Sequence, residues 1–161
     1  MKVIFIRHAK SSWSQPILED HARPLNDRGI KNAPEMGLRL KRLGLLPEAI
    51  YTSTALRAAS TAELIATAIG FDKGLKKHPE LYHASASQLL KFLRNIPDKY
   101  DLIYLVAHNP GMTDFANLYT DLEIDNLPTC GIFGFEVVSS DWQKNKPTFK
   151  SFLYDFPKNQ S

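Results

Sequence analysis

Val3-Ile4-Phe5-Ile6-Arg7-His8 sets four consecutive apolar residues, three of them β-branched, directly before a cation and an imidazole. A strand covered on both faces of a parallel sheet reads as such an unbroken apolar run, because neither side of its pleat meets water. The same pattern recurs at Leu102-Ile103-Tyr104-Leu105-Val106-Ala107, which is halted by His108 and then Asn109-Pro110-Gly111. Two buried strands, a hundred residues apart, therefore each deliver a histidine at the carboxyl end.

Working outward, a third strand is expected over Glu48 to Thr52, with Ser53-Thr54 as N-cap of an Ala-rich helix from Ala55 to Ile69. Asn26 or Asp27 is expected to cap a helix reaching about Leu43, with Gly44 as its stop and Pro34 near its first turns or kinking it. Ser85 or Ser87 opens another helix through Leu89, Leu90, Phe92 and Leu93, stopped by Pro97, and Thr113 to Tyr119 reads as a short one. The tail offers strands at Ile132 to Val138 and Thr148 to Tyr154, joined by a polar loop. Strands alternating with helices predict a three-layer α/β/α sandwich with a mostly parallel central sheet. No repeat, linker or low-complexity segment divides it, so one domain spanning 1–161 is expected.

Composition agrees. The 161 residues are 43% hydrophobic and 23% charged, which excludes disordered and collagen-like chains. A chain of this length buries about 70% of its unfolded surface and needs no disulfide or structural metal to stay folded. The net charge of +3 is small, and the basic groups at Arg39 to Arg42 and Lys73 to Lys77 lack the interleaved aromatics of a nucleic-acid surface. No apolar run reaches membrane length, so neither secretion nor membrane insertion is expected. The lone Cys130 has no disulfide partner and points to a reducing, cytoplasmic compartment.

In open parallel sheets ligands bind outside the carboxyl ends of the strands. Those ends carry Arg7 and His8, Arg57 just inside the following helix, and His108. Guanidinium forks match phosphate oxygens, and a helix N-terminus adds N–H donors. An imidazole between them can attack phosphorus. Other phosphate chemistries lack their residues. Cys130 would need Arg at position 136 for a C-x5-R loop and finds Glu136, so it reads as a buried small apolar residue. There is neither a G-x4-G-K-[ST] loop nor an HExxH, and His21, His78 and His83 read as surface or structural.

Arg7-His8-Ala9, Ser53-Thr54-Ala55-Leu56-Arg57-Ala58 and Ala107-His108-Asn109-Pro110 together resemble the histidine phosphatase superfamily, with its phosphoglycerate mutase-like fold. Lys10-Ser11-Ser12 and Arg23-Pro24-Leu25 before Gly29 look most like the phosphohistidine phosphatase SixA branch. The resemblance implies that His8 is the nucleophile, transiently phosphorylated, that Arg7 and Arg57 clamp the phosphoryl oxygens, and that a protonated His108 donates to one of them. No cofactor and no metal are implied. Ala9 stands where the superfamily usually has Gly, so its backbone must be one that Ala adopts without strain. Lys10, Arg23, Asn26 and Asn109 are expected at the substrate rim.

An alkoxide leaving group needs a positioned acid, and Glu80 is the best-placed carboxylate by order; it reads equally well as an exposed carboxylate flanking a strand or turn. An imidazole leaving from a P–N bond needs less help, so a phosphohistidine on a protein domain is the favoured substrate, with inorganic phosphate as product. Alternatives are a small-molecule phosphomonoesterase or mutase that uses Glu80, and a binding module for phosphate or a phosphoprotein. Neither nucleic acid nor membrane is an expected partner.

Overall fold

A computed structural model describes residues 1–159; Gln160 and Ser161, at the end of the expected domain, lie outside the described residues. The chain runs β1 (Lys2–Arg7), α1 (Asp27–Arg42), β2 (Ala49–Ser53), α2 (Leu56–Ile69), β3 (Lys76–His78), α3 (Ala86–Arg94), β4 (Leu102–Ala107), α4 (Gly111–Tyr119), β5 (Ile132–Glu136) and β6 (Lys150–Asp155). Single 3-10 turns lie at Asp20–Ala22, Pro79–Leu81 and Ser139–Gln143. The six strands form one sheet in the order β3-β2-β4-β1-β5-β6. β3, β2, β4 and β1 pair in parallel, and β5 and β6 add an antiparallel flank.

The continuous apolar runs lie at the centre, as their patterning requires. β1 and β4 alternate their side chains between two cores. Ile4, Ile6, Tyr104 and Val106 pack with Met36, Leu40, Ala62 and Ile65 of α1 and α2. Val3, Phe5, Ile103 and Leu105 pack with Leu89, Leu93, Met112 and Phe115 of α3 and α4, joined by Phe133 and Phe135. Phe5 alone meets the rings of Phe115, Phe133 and Phe135 at centroid distances of 4.7, 5.3 and 5.1 Å.

Three local features hold the carboxyl edge of the sheet. Asn26 caps α1, accepting from Gly29 N at 2.9 Å. At Gly29 a Cβ would stand 2.3 Å from the Lys10 carbonyl oxygen, so only glycine lets α1 approach the segment leaving β1 this closely. Ser85 caps α3 and exchanges side-chain and backbone bonds with Gln88.

Several boundaries differ from expectation. Ser53 and Thr54 do not cap α2: Ser53 is the last residue of β2, its Oγ accepts from Ala55 N at 3.2 Å, and Ala55 occupies the cap without a side-chain bond. Pro34 sits inside α1 without ending it. The helix continues past the ring, and Ile30, whose carbonyl loses its donor, is half-exposed. β2 starts one residue late, β5 ends at Glu136 and β6 begins at Lys150. β3 is unexpected altogether, because Lys76-Lys77-His78 has no apolar run; as a short edge strand it is paired on one side and covered by little.

Candidate active site

Strand register assembles the site. Arg7 pairs with Ala107 across β1 and β4, so the next residue of each strand, His8 and His108, emerges at the same level. His8 N donates to Ala107 O at 3.1 Å, and the imidazole centroids stand 5.2 Å apart. Thr52 of β2 pairs with Val106, which brings Ser53 beside His108 on the other flank. Arg57 enters from the first turn of α2. All four expected residues thus meet at one edge, and His8, Arg57 and His108 are almost wholly buried there.

The His8 ring is fixed by its backbone. Its Nδ1–H donates to Ala9 O at 2.8 Å, which leaves the lone pair on Nε2. Ala9 is itself anchored, its N–H donating to Thr61 Oγ1 at 2.9 Å while the Thr61 hydroxyl donates to Arg57 O at 2.7 Å. One threonine on α2 therefore ties the segment bearing His8 to the turn bearing Arg57. Ala9 lies outside the left-handed region, so Ala replaces Gly there without strain. Burial, reinforced by Arg57, Arg7 and Arg23, lowers the His8 pKa to about 4, against the opposing bond to Ala9. Its imidazole is neutral at physiological pH.

His108 differs from the expected protonated donor. Burial first, then proximity to His8 and Arg57, push its pKa far down, so its imidazole is neutral. It still offers a proton. Ser53 Oγ accepts from Ala55 N and lies 2.8 Å from His108 Nε2, and because the hydroxyl has no other acceptor its hydrogen is assigned to Nε2. That network assigns the ring proton to Nδ1. Among the described residues the buried side-chain nitrogens and oxygens without a partner are Arg7 Nε, Arg57 Nε and His108 Nδ1. Three orphaned donors, all from this one cluster, are donors of the kind a site shaped for an oxyanion presents.

Three further residues join the cluster that sequence patterning did not single out. Asp20 accepts from Arg57 Nη2 at 3.0 Å, from Arg23 Nε at 3.1 Å and from the Tyr82 hydroxyl. Its carboxyl is held far below the carboxylate range, chiefly by the Tyr82 bond and then by Arg57. Tyr82, whose ring centroid is 5.4 Å from that of His108, is shifted the other way, by burial and by Asp20. His83 lies 3.4 Å from Asp20 through Nε2 and has its ring 5.8 Å from His108. His83 is on the surface, as expected, and its place beside Asp20 and His108 sets it at the edge of this cluster. His21, by contrast, bonds Thr54 Oγ1 at 2.8 Å, and His78 packs against Tyr51 and Phe92. The signal for Tyr82 and His83 lay in β3: a parallel strand ending at His78 delivers the residues after it to the same carboxyl edge, and β3 was not legible.

The expected rim residues are variously placed. Arg23 is buried, bonding Ser11 Oγ at 2.7 Å with its guanidinium 3.5 Å from the exposed Trp13 ring centroid. Lys10 is exposed beside the site. Asn26 spends its carbonyl on capping α1, and Asn109 bonds Thr113, Leu127 O and Asn126. Arg7 is braced by Leu127 O at 2.8 Å. Glu80 pairs with His78 Nδ1 at 3.4 Å, side chain mostly exposed, and lines a cavity of about 560 Å³ with Tyr51, Lys76, Lys91 and Phe92 at the β3 edge rather than the His8 cluster. Cys130 is fully buried, and burial raises its thiol pKa to about 12. No group of three or more His, Cys, Asp or Glu among the described residues is arranged to hold a metal ion. Nor is any of their helices long and apolar enough to cross a membrane.

The family model of the histidine phosphatase superfamily (branch 1) matches residues 3–89. The chain belongs to the histidine phosphatase superfamily. The matched stretch holds Arg7, His8 and Arg57, and the structure adds His108 from beyond it. An uncharacterised chloroplastic protein of Arabidopsis thaliana is 30% identical over 152 residues, covering 89% of this chain and 69% of that protein. A 2,3-bisphosphoglycerate-dependent phosphoglycerate mutase of Streptomyces avermitilis is 40% identical over 65 residues, 39% of this chain and 26% of that one. The structure of the protein histidine phosphatase SixA complexed with tungstate superposes with a TM-score of 0.83 at 19% identity, covering 98% of this chain and 97% of that one. The three-layer arrangement is thus the phosphoglycerate mutase-like fold, and histidine phosphatase membership gives the chain phosphatase or mutase chemistry.

Proposed function

We propose that the chain is a single-domain, metal-independent phosphatase that hydrolyses phosphohistidine on a protein through a phosphohistidine intermediate on His8. The observation that carries this reading is the His8 imidazole, neutral and tied through Nδ1 to Ala9 O, with Nε2 unprotonated beside Arg7, Arg57 and His108. Nε2 attacks phosphorus, and the bond to the leaving atom breaks as the P–N bond forms. Arg7, Arg57 and the Nδ1–H of His108 hold the oxygens, which supplies the positioning and charge stabilisation on which phosphoryl transfer depends. Asp20 neutralises Arg57 across a 3.0 Å ion pair, and a phosphoryl group takes over that guanidinium. Water then cleaves the intermediate, releasing inorganic phosphate.

A protein substrate fits the resemblance to the SixA branch and the exposed Trp13 stacked on Arg23 at the site's edge. The phosphomonoesterase or mutase reading that assigns the general acid to Glu80 is disfavoured by that carboxylate's pairing with His78. The buried, unpaired Cys130 agrees with a reducing cytoplasmic compartment.

The test is intact-mass spectrometry after mixing with a phosphohistidine peptide or an aryl phosphate, quenched in alkali. Wild type forms a transient one-phosphoryl adduct that His8→Ala lacks, and turns over the peptide faster than the ester. Turnover persisting in His8→Ala would overturn the mechanism, whereas phosphate binding without adduct or turnover would make the pocket a binding module.

A further inference from the structure

His83 is one of two non-glycine residues among the described residues with a left-handed backbone, at φ 56°. Holding a side-chain-bearing residue there is strained and persists only where surroundings over-determine it, commonly at functional sites. The surroundings here are specific. Asp20 lies 3.4 Å from Nε2, the Tyr82 ring stacks at 3.9 Å between centroids, and the His108 ring is 5.8 Å away. Unlike the buried His8 and His108, the His83 side chain is 57% exposed, so it alone of these three imidazoles reaches both the reaction site and solvent.

We infer that His83 is the proton-transfer residue of the reaction: it gives a proton to the leaving atom and then takes one from the hydrolytic water. The inference rests on the His8 mechanism proposed above. The neighbouring groups have other tasks, His108 holding a phosphoryl oxygen through Nδ1 and Tyr82 donating to Asp20. His8 is occupied by phosphorus, Asp20 is ionised and shared between two arginines and Tyr82, and Glu80 is paired with His78. Imidazole is the side chain best matched to moving a proton in both directions near neutral pH. With Nε2 against Asp20, Nδ1 is the exchanging atom.

In the first step the Nε2 lone pair of His8 bonds to phosphorus, and the electron pair of the breaking P–O or P–N bond stays with the leaving atom. That atom takes the Nδ1 proton of protonated His83, leaving His83 neutral. In the second step water oxygen bonds to phosphorus, its proton goes to neutral His83, and the P–N electron pair returns to His8. Both groups end as they began, and the two steps together consume one water.

The test uses His83→Asn, which tolerates a positive φ but cannot exchange the proton, and His83→Gly, which frees the backbone and opens room for added imidazole. Substrates are 4-nitrophenyl phosphate, whose leaving group needs little protonation, and an unactivated alkyl phosphate, with the His8 adduct followed by intact mass. Expected are a loss of about a hundredfold to ten-thousandfold on the alkyl ester, adduct formation from the aryl ester within about fivefold of wild type, slower adduct decay, and recovery of His83→Gly by imidazole. Equal losses on both esters without imidazole rescue, or no loss in either variant, would overturn the inference alone. Failure of wild type to form a His8 adduct from any substrate overturns the underlying mechanism together with it.

Discussion

Replacing Ser53 by Ala probes whether a serine sets the proton on His108. The hydroxyl lies 2.8 Å from His108 Nε2 and accepts from Ala55 N at 3.2 Å, all within the buried interior. Removing it deletes one hydrogen bond that selects the Nδ1–H tautomer, a bias of about 1–1.5 kcal/mol, or up to about tenfold in tautomer ratio. It also orphans the Ala55 N–H, at about 1–3 kcal/mol of stability, which for a chain of this size is roughly 2–12 °C in Tm. Two-dimensional 15N NMR of the imidazoles reads the tautomer directly, and single-turnover formation of the His8 adduct reads the consequence. Wild type carries the His108 proton on Nδ1; Ser53→Ala shows a mixture and forms the adduct about tenfold more slowly, while Ser53→Thr keeps the hydroxyl and most of the rate. A wild-type His108 protonated on Nε2, or a variant whose tautomer does not change, would refute the assignment.

Three other perturbations follow from the same contacts. Thr61→Val removes the acceptor of Ala9 N–H; a loss of about 1–3 kcal/mol in chemical denaturation, with slower phosphorylation of His8, is expected, and unchanged stability would show that Thr61 does not anchor that segment. Gly29→Ala puts a methyl against the Lys10 carbonyl, 2.3 Å from the built Cβ; a stability loss of about 1–3 kcal/mol is expected from such overpacking, and a wild-type melting curve would contradict the close approach. The third concerns pH: the folded pKa of His8, near 4, lies below its unfolded value of about 6.5. The unfolded chain then binds more protons between those values, so the His8 contribution to stability is fully present above pH 6.5 and is lost, by about 3 kcal/mol, as pH drops toward 4, with His108, shifted the same way, adding to the fall. His8→Gln should flatten that slope in urea titrations across the window, and an unaltered slope would mean that His8 is not buried neutral.

The parts of this site legible in the sequence are those carried by buried strands. Unbroken apolar runs ending at His8 and His108 could be read because both strands are covered on two faces, and their parallel register then brings the residues beyond them together. Arg57 followed from its place just after β2. Asp20, Tyr82 and His83 were hidden for a physical reason: they sit on single 3-10 turns or follow an edge strand of three polar residues, segments without hydrophobic periodicity whose position is set by ion pairs and ring contacts. Ser53 looks like a helix cap in the sequence because residue type alone does not distinguish a hydroxyl that caps a helix from one that bonds an imidazole of a neighbouring strand. Asn26 suits both a cap and a rim position by sequence, and its side-chain carbonyl serves the cap.

The most direct measurement of the central claim is the identity of the phosphorylated nitrogen. Protein trapped with one phosphoryl group would be examined by 31P and 15N NMR in alkali, with Ala at position 8 as control. The account predicts phosphorus on Nε2 of His8, because Nδ1 is engaged by the Ala9 carbonyl; phosphorus on Nδ1, or on another side chain, would contradict it.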